Sequence, residues 1–414
     1  MLWPDDPERD MTTTDERRSP AIVEAARRTL ERPLASYQLV LGTTALLLGL
    51  GLIMVLSASS VFALTNYDNS FAIVERQLFF AVLGLLGAFV AARIPLTLLR
   101  RLILPFLLMS VALIVATFVI GVDVNGNRNW LALPGGFQLQ PSEFAKLAVV
   151  LWIADLYARR QKHLGTPRYV LTPMVPIAGA VAALVVAQHD LGTALVLFAL
   201  IVGMLWVAGL PAKQMSAVVA GIFVVLVFFV ATAPHRVARL LNFTNPLADP
   251  DNAGFQSIHA SMALARGGFW GVGLGGSRQK WGSLPEAHTD FILAVIGEEL
   301  GLLGTFVVLI LFVVLAFAGI RIASRTRDPF VRYTAAGITI WLMVQAVINI
   351  GMVLGLLPVI GLPLPLISYG GSSLLVTLVA LGVLINCAKT EPGARRALAA
   401  GRASRARGRL SRRS

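Results

Sequence analysis

Ionisable residues sit where a lipid-soluble chain should not carry them. Glu143 and Lys146 fall near the start of one apolar run, Asp290, Glu298 and Glu299 before or within another, and Asp190 in a tight turn between two more. Carboxylates and an amine in a low-dielectric place can pair with one another, trade protons or meet a charged ligand. A charge at the centre of a membrane helix costs at least about 2.5–3.5 kcal/mol, so each needs a reason. Depth follows from the helical rise of about 1.5 Å per residue. Counted outward from Arg159, Lys146 lies roughly 20 Å and Glu143 roughly 24 Å away. From Arg321, a straight helix puts Glu299 at roughly 33 Å and Asp290 at roughly 46 Å. With a hydrocarbon core about 30 Å thick, these groups fall in the outer half of the membrane or just above it. A polar cavity open to the outside fits that distribution. Local readings stay open beside it: a self-satisfied i,i+3 pair for Glu143 and Lys146, a helix N-cap for Asp190, and a charge favoured by the helix dipole for Asp290.

The elements that position these residues must be membrane helices. The chain has 414 residues, 56% of them hydrophobic and only 14% charged, with a mean hydropathy of +0.75. A soluble domain carries roughly 25% charged residues, so this composition excludes a soluble enzyme, a disordered chain and a disulfide scaffold. Net charge is +13, from 35 Lys and Arg against 22 Asp and Glu. Most of the cations sit in short loops and tails between apolar runs, which reads as topogenic charge on the cytoplasmic side and not as a nucleic-acid surface. The lone Cys387 forms no intrachain disulfide.

Ten spans are expected, near 37–58, 77–93, 95–120, 142–158, 169–187, 191–209, 212–233, 290–320, 331–354 and 368–388. The expected fold is all-α and polytopic. Arg93, Arg100 and Arg101 follow the second span, Arg159, Arg160, Lys162 and Arg168 the fourth, Lys213 the sixth, and Arg321, Arg325, Arg327 and Arg332 the eighth. Both termini are therefore expected in the cytoplasm, and the long loop 234–289 outside. Residues 1–36 form a basic N-terminal tail with no cleavable signal, and 21–32 read either as an amphipathic helix on the membrane or as a solvated tail. Residues 37–388 form the membrane domain, and 389–414 a basic tail expected to be disordered. Basic tails suit anionic lipids or cytoplasmic protein partners.

The external segments carry long ordered motifs. The first runs Asn125-Gly126-Asn127-Arg128-Asn129-Trp130-Leu131 and then Gln140-Pro141-Ser142-Glu143-Phe144-Ala145-Lys146. The second passes through Gly271-Val272-Gly273-Leu274-Gly275, Ser277-Arg278-Gln279-Lys280-Trp281 and Leu284-Pro285-Glu286-Ala287-His288-Thr289-Asp290-Phe291 to Gly297-Glu298-Glu299-Leu300-Gly301. The third reads Gly361-Leu362-Pro363-Leu364-Pro365, then Ile367-Ser368-Tyr369-Gly370-Gly371-Ser372-Ser373. From about residue 37 to 388 the chain resembles the SEDS family (shape, elongation, division and sporulation). Leu56-Ser57-Ala58-Ser59-Ser60, the long basic tails and Leu366-Ile367-Ser368-Tyr369 make it more like the FtsW branch than the RodA branch. Two departures stand out. Arg128 is followed by Asn129 where the family commonly pairs arginines, and His189 precedes Asp190 where the family usually has proline.

The resemblance implies ten transmembrane helices and a peptidoglycan glycosyltransferase that polymerises lipid II on the outer face. It implies a class B penicillin-binding protein as partner, with other divisome proteins, at the septum of a bacterial cytoplasmic membrane. Asp290 matches the family's essential aspartate and is the expected general base. Arg128, Arg278 and Lys280 are candidates for the pyrophosphate, since arginine grips phosphate bidentately and lysine acts as a point charge. Glu143 and Lys146 are expected to shape the cavity, with Lys146 near a phosphate. Glu286 and His288 flank Asp290 and either position it or brace the loop. Trp130 suits sugar stacking or interfacial anchoring. Asp190, Glu298, Glu299 and Ser368 are expected to build the cavity wall. No protein-built metal site or cofactor motif is legible, although Mg2+ or Mn2+ could bridge the pyrophosphate and a carboxylate. The glycines at 267–276 lack the strand and Gly-Lys-Ser/Thr of a phosphate loop and read as turns or close backbone approaches. Asn242-Phe243-Thr244 matches a glycosylation acceptor by three residues alone. The competing functions are a lipid II flippase, which needs polar groups in the inner half too, and a non-catalytic divisome scaffold, which would tolerate a neutral residue at 290.

Overall fold

The computed structural model describes residues 32–124, 127–134, 136–232, 237, 243, 246, 249, 254–282 and 284–400. The expected helix at 21–32, the tail beyond 400 and the Asn242-Thr244 match therefore lie mostly outside the described residues. Helices α1 (Ala35–Tyr67), α2 (Ala72–Ala91) and α3 (Leu96–Ile120) come first. Strands β1 (Val122–Val124), β2 (Asn127–Leu133) and β3 (Phe137–Leu139) follow, and then α4 (Pro141–Arg159). Next are α5 (Pro167–Leu171), α6 (Met174–Ala187), α7 (Leu191–Val207), α8 (Ala212–Ala231) and α9 (Phe255–Gly267). The long α10 (Ile292–Arg325), α11 (Pro329–Val353) and α12 (Gly371–Ala388) complete the order.

Every expected span coincides with a helix. Among the described residues, eight helices, counting Pro167–Ala187 as one, are long and apolar enough to cross a membrane. The chain is thus a polytopic membrane protein. The other two expected spans are α4, which carries Glu143, Lys146, Asp155 and Arg159, and α7, which has 17 residues where a span needs about 20.

Three expectations need correction. The first helix runs past Ala58 to Tyr67, because Ser60, Thr65 and Asn66 turn their side chains back onto carbonyls three or four residues earlier. Their polarity therefore does not end the helix. The external loop 234–289 contains α9. The first external segment is a three-stranded antiparallel sheet, with Val122 opposite Trp130 and Ala132 opposite Gln138, so a small β element caps the helical domain.

Burial separates the helices. In α12 and α11, 78% and 67% of the most apolar window lies inside the protein, against none in α8. Lipid cannot drive helices together by hydrophobicity, so their contacts rest on close packing and small residues. At the α2–α12 contact, a Cβ on Gly382 would stand 2.4 Å from Ala88 O, so only glycine admits that approach. By contrast, α8 turns Phe223, Val224 and Phe228 outward, as a lipid-facing helix should.

Candidate functional site

The motif-bearing ends of α1, α4, α7, α10, α11 and α12 meet at one end of the molecule, opposite the basic loops. Three polar networks occupy it. The first surrounds the turn before α10. Glu286 takes φ 55°, and its carbonyl accepts from Thr289 N at 3.2 Å and Phe291 N at 3.1 Å. Thr289 Oγ1 also donates to the Glu286 carboxylate. The turn holds Asp290 partly buried, two residues before the helix starts. His288 is buried between the rings of Phe62 and Tyr369, at centroid distances of 5.2 and 5.7 Å. Burial lowers its pKa, partly opposed by the Glu286 charge, so the ring is neutral at neutral pH. Its carbonyl accepts the Tyr369 N–H at 2.9 Å.

The segment facing this turn, 354–370, has no helix or strand of its own. Its prolines lack N–H groups, and its buried carbonyls still need donors. Side chains supply them. Asn349 Nδ2 donates at 2.7 Å to Leu362 O and at 2.7 Å to Asp290 O. Gln345 Nε2 donates to Pro363 O at 3.0 Å, and Gln77 Nε2 to Ser368 O at 3.1 Å. Ser368 Oγ accepts from Leu364 N at 2.8 Å, closing the loop on itself. Gly361, at φ 78°, lies against the Asp290 carboxylate, and a Cβ there would come within 3.4 Å of Oδ2.

Gln345 extends the network inward. Its Oε1 accepts from Lys146 Nζ at 3.0 Å and Trp341 Nε1 at 3.1 Å. Lys146 is fully buried and pairs with Glu143 at 2.7 Å. The self-satisfying pair expected from the i,i+3 spacing therefore forms. It turns Lys146 toward Gln345 and Trp341, away from the surface a substrate would reach.

The second network centres on Asp190. Oδ1 caps α7 through Thr193 N at 2.9 Å, while Oδ2 accepts from Asn129 Nδ2 at 3.2 Å and Gln140 Nε2 at 2.7 Å. His189 has φ 65°, a value closed to proline, whose ring holds φ near −65°. The turn is therefore one that the family's usual proline could not make. Arg128 is exposed and Trp130 partly exposed on the same strand.

The third network ties the external segment to α10. Glu298 and Glu299 are buried. Glu298 Oε1 accepts from Arg266 Nη1 and Arg278 N, each at 3.0 Å, and its other oxygen from Ser277 Oγ. Glu299 meets Ser57 Oγ at 2.7 Å and Lys280 Nζ at 3.3 Å. The helix breaks just beyond, at Gly301, with φ 68° and ψ −166°. The two lost helical bonds are replaced. Leu302 N and Leu303 N donate to Gly268 O and Phe269 O, while Val272 N and Gly273 N donate to the freed carbonyls of Glu298 and Glu299. Gly267 and Gly271 are close backbone approaches, whereas Gly268, Gly273 and Gly275 have positive φ and room for a Cβ. A Cβ on Gly301 would stand 2.4 Å from Gly271 N.

Asp290, Glu286, His288 and Ser368 thus come together, with Glu143 and Lys146 joined to them through Gln345. Lys280 is committed to Glu299, and the side chain of Arg278 is exposed. Among the described residues, no group of three or more His, Cys, Asp or Glu side chains could hold a metal ion. Sequence reasoning missed Gln77, Gln345 and Asn349, as well as Arg76. Arg76 stacks 5.1 Å over Tyr67 and opposes the upward pKa shift that burial gives the Tyr369 phenol.

A family model described as "Cell cycle protein", FTSW_RODA_SPOVE, matches residues 37–392. A Mycobacterium tuberculosis protein named "Probable peptidoglycan glycosyltransferase FtsW" is 42% identical over 375 residues, 90% of this chain and 71% of that one. Among solved structures, a chain from a study of "polymerization and crosslinking by a peptidoglycan synthase complex" aligns with TM-score 0.69 and 27% identity, covering 84% of this chain and 96% of that one. The "Rod shape determining protein RodA" of Thermus thermophilus aligns with TM-score 0.62 and 28% identity, covering 85% and 96%.

Proposed function

Because the chain belongs to the FtsW/RodA/SpoVE family of cell cycle proteins, we propose that it is a peptidoglycan glycosyltransferase of the FtsW type, polymerising lipid II on the outer face of the cytoplasmic membrane. The relatives' names and the peptidoglycan synthase neighbour support this reading. The same neighbour supports a class B penicillin-binding protein as partner. A place at the septum among other divisome proteins follows from the likeness to FtsW.

In the reaction, a sugar hydroxyl of one lipid-linked molecule attacks the anomeric carbon of another. A new C–O bond forms as the bond to the lipid pyrophosphate breaks, and the electron pair leaves with the pyrophosphate. Asp290 takes the hydroxyl proton. Arg278 and Arg128, both exposed on external segments, are the cations available to the developing phosphate charge. Glu286 and His288 brace the Asp290 turn, and Trp130 is a platform for a sugar. Lys146 and Glu143 act through Gln345 on the loop facing Asp290. A divalent cation, Mg2+ or Mn2+, would draw most of its ligands from the substrate's phosphates and add at most one carboxylate, Asp290.

One observation carries the assignment of the base. Asp290 is a partly exposed carboxylate on a turn whose backbone is held from three sides. The test is polymerisation of labelled lipid II by purified protein, alone and with its transpeptidase. Asp290→Asn should abolish polymer while folding and partner binding persist. Normal polymer from that variant would sink the assignment and favour a scaffold. No polymer from wild type in the complex would favour a flippase and call for a transport assay.

A further inference from the structure

Asn349 is fully buried near the outer end of α11, an apolar helix. Its amide holds two backbone carbonyls at once, Asp290 O and Leu362 O, each at 2.7 Å. Only the NH2 end of the side chain can face two acceptors, so the chemistry fixes the orientation of the amide. In an uninterrupted helix, Asp290 O would take the N–H four residues on. Here Ala294 N turns to Phe291 O at 2.9 Å, and the side chain of another helix holds Asp290 instead. Asn349 also holds Leu362, next to Gly361, whose backbone lies beside the Asp290 carboxylate. A single amide therefore ties together the two backbone segments that flank that carboxylate.

We propose that Asn349 is a positioning residue for the transfer reaction: it sets the Asp290 turn against the 361–365 loop through two backbone hydrogen bonds. The proposal rests on the reading of Asp290 as the base. Asn349 acts on the backbone on either side of the carboxylate, so its effect is on placement. Near a reacting centre, a displacement of about 1 Å can cost about 100-fold in rate.

The experiment is steady-state lipid II polymerisation by the full chain in complex with its transpeptidase. Asn349→Leu keeps the volume and removes both donors. Its kcat should fall about 100-fold, with KM within about threefold of wild type. Asn349→Asp supplies a donor only while its carboxyl is protonated, and burial against carbonyl oxygens favours that form. Its activity relative to wild type should therefore fall as pH rises, with the melting temperature unchanged in rank. Ionisation of the buried carboxyl also lowers stability as pH rises, so the ratio is read well below the melting temperature, where a role in mere stability would leave it flat.

A folded Asn349→Leu with kcat within about threefold of wild type would overturn the proposal. So would a flat pH ratio for Asn349→Asp. If Asn349→Leu does not fold, the pH ratio of Asn349→Asp decides. An inactive Asp290→Asn beside a normal Asn349→Leu defeats this proposal alone. An active Asp290→Asn defeats the reading of Asp290 and the proposal with it.

Discussion

Two irregular segments meet the outer end of the bundle, and opposite chemistry anchors them. The 354–370 segment is held by neutral amides, Gln77, Gln345 and Asn349, each donating to backbone carbonyls. The 268–281 segment is held by carboxylates, Glu298 and Glu299, each accepting from N–H groups, hydroxyls and a cation. Both solutions satisfy backbone that has left regular structure. They differ in what charge they leave over. The carboxylate anchor consumes its own charges in ion pairs. The amide anchor adds none. One region is held by charge, and the other is held without it.

The largest expected effect comes from breaking the carboxylate side at its backbone. Gly301→Val places a β-branched residue at φ 68°, with its Cβ 2.4 Å from Gly271 N. Both the conformation and the contact are closed to it. We expect a loss above about 4 kcal/mol, seen as little folded protein after purification and a collapsed melting temperature. A normal melt would mean that the exchange of backbone bonds between 268–273 and 298–303 is dispensable.

The comparison sharpens with two neutralisations. Glu298→Leu strips Arg266, Ser277 and Arg278 N of their acceptor. Removing one partner of a buried ion pair costs about 3–5 kcal/mol. Asp290→Asn, on a partly exposed turn, should cost less, about 1 kcal/mol. Thermal unfolding of the two purified variants beside wild type decides. Equal melts would erase the distinction between the carboxylate-held and the amide-held region.

The spans were legible because apolar length is a local property. The Glu143–Lys146 pair and the Asp190 cap were legible for the same reason, since their partners lie three residues away. The amide anchors were not. Asn349 meets Asp290 across 59 positions and Gln77 meets Ser368 across 291, and a polar residue on an apolar helix does not announce which carbonyl it serves. The hairpin carried a signal that was read as plain loop: Asn125-Gly126 between apolar-rich stretches is a turn sequence. The glycines at 267–276 were read as close approaches, but the partner backbone at Gly301 required the fold. A straight eighth helix was assumed for the depth of Asp290, and the break at Gly301 re-aims everything before it.

The smallest effect concerns the ring that braces the Asp290 turn. Burial lowers the pKa of His288 below its ordinary 6.5. The unfolded chain therefore takes up the proton first as pH falls. Stability from the neutral ring is fully present above about 6.5 and declines as pH drops through 6.5 toward the folded value. Melting temperature should thus fall between pH 7.5 and 5.5 by more in wild type than in His288→Phe, which keeps an aromatic ring between Phe62 and Tyr369 and has nothing to protonate. Polymerisation should fall over the same interval if the brace transmits to Asp290, which is the point at which the amide-held region would share the pH response. Identical pH dependence of the two melts would show that His288 is protonated at no cost in the folded protein, and the contrast between a charge-free anchor and a charged one would lose its proton-linked arm.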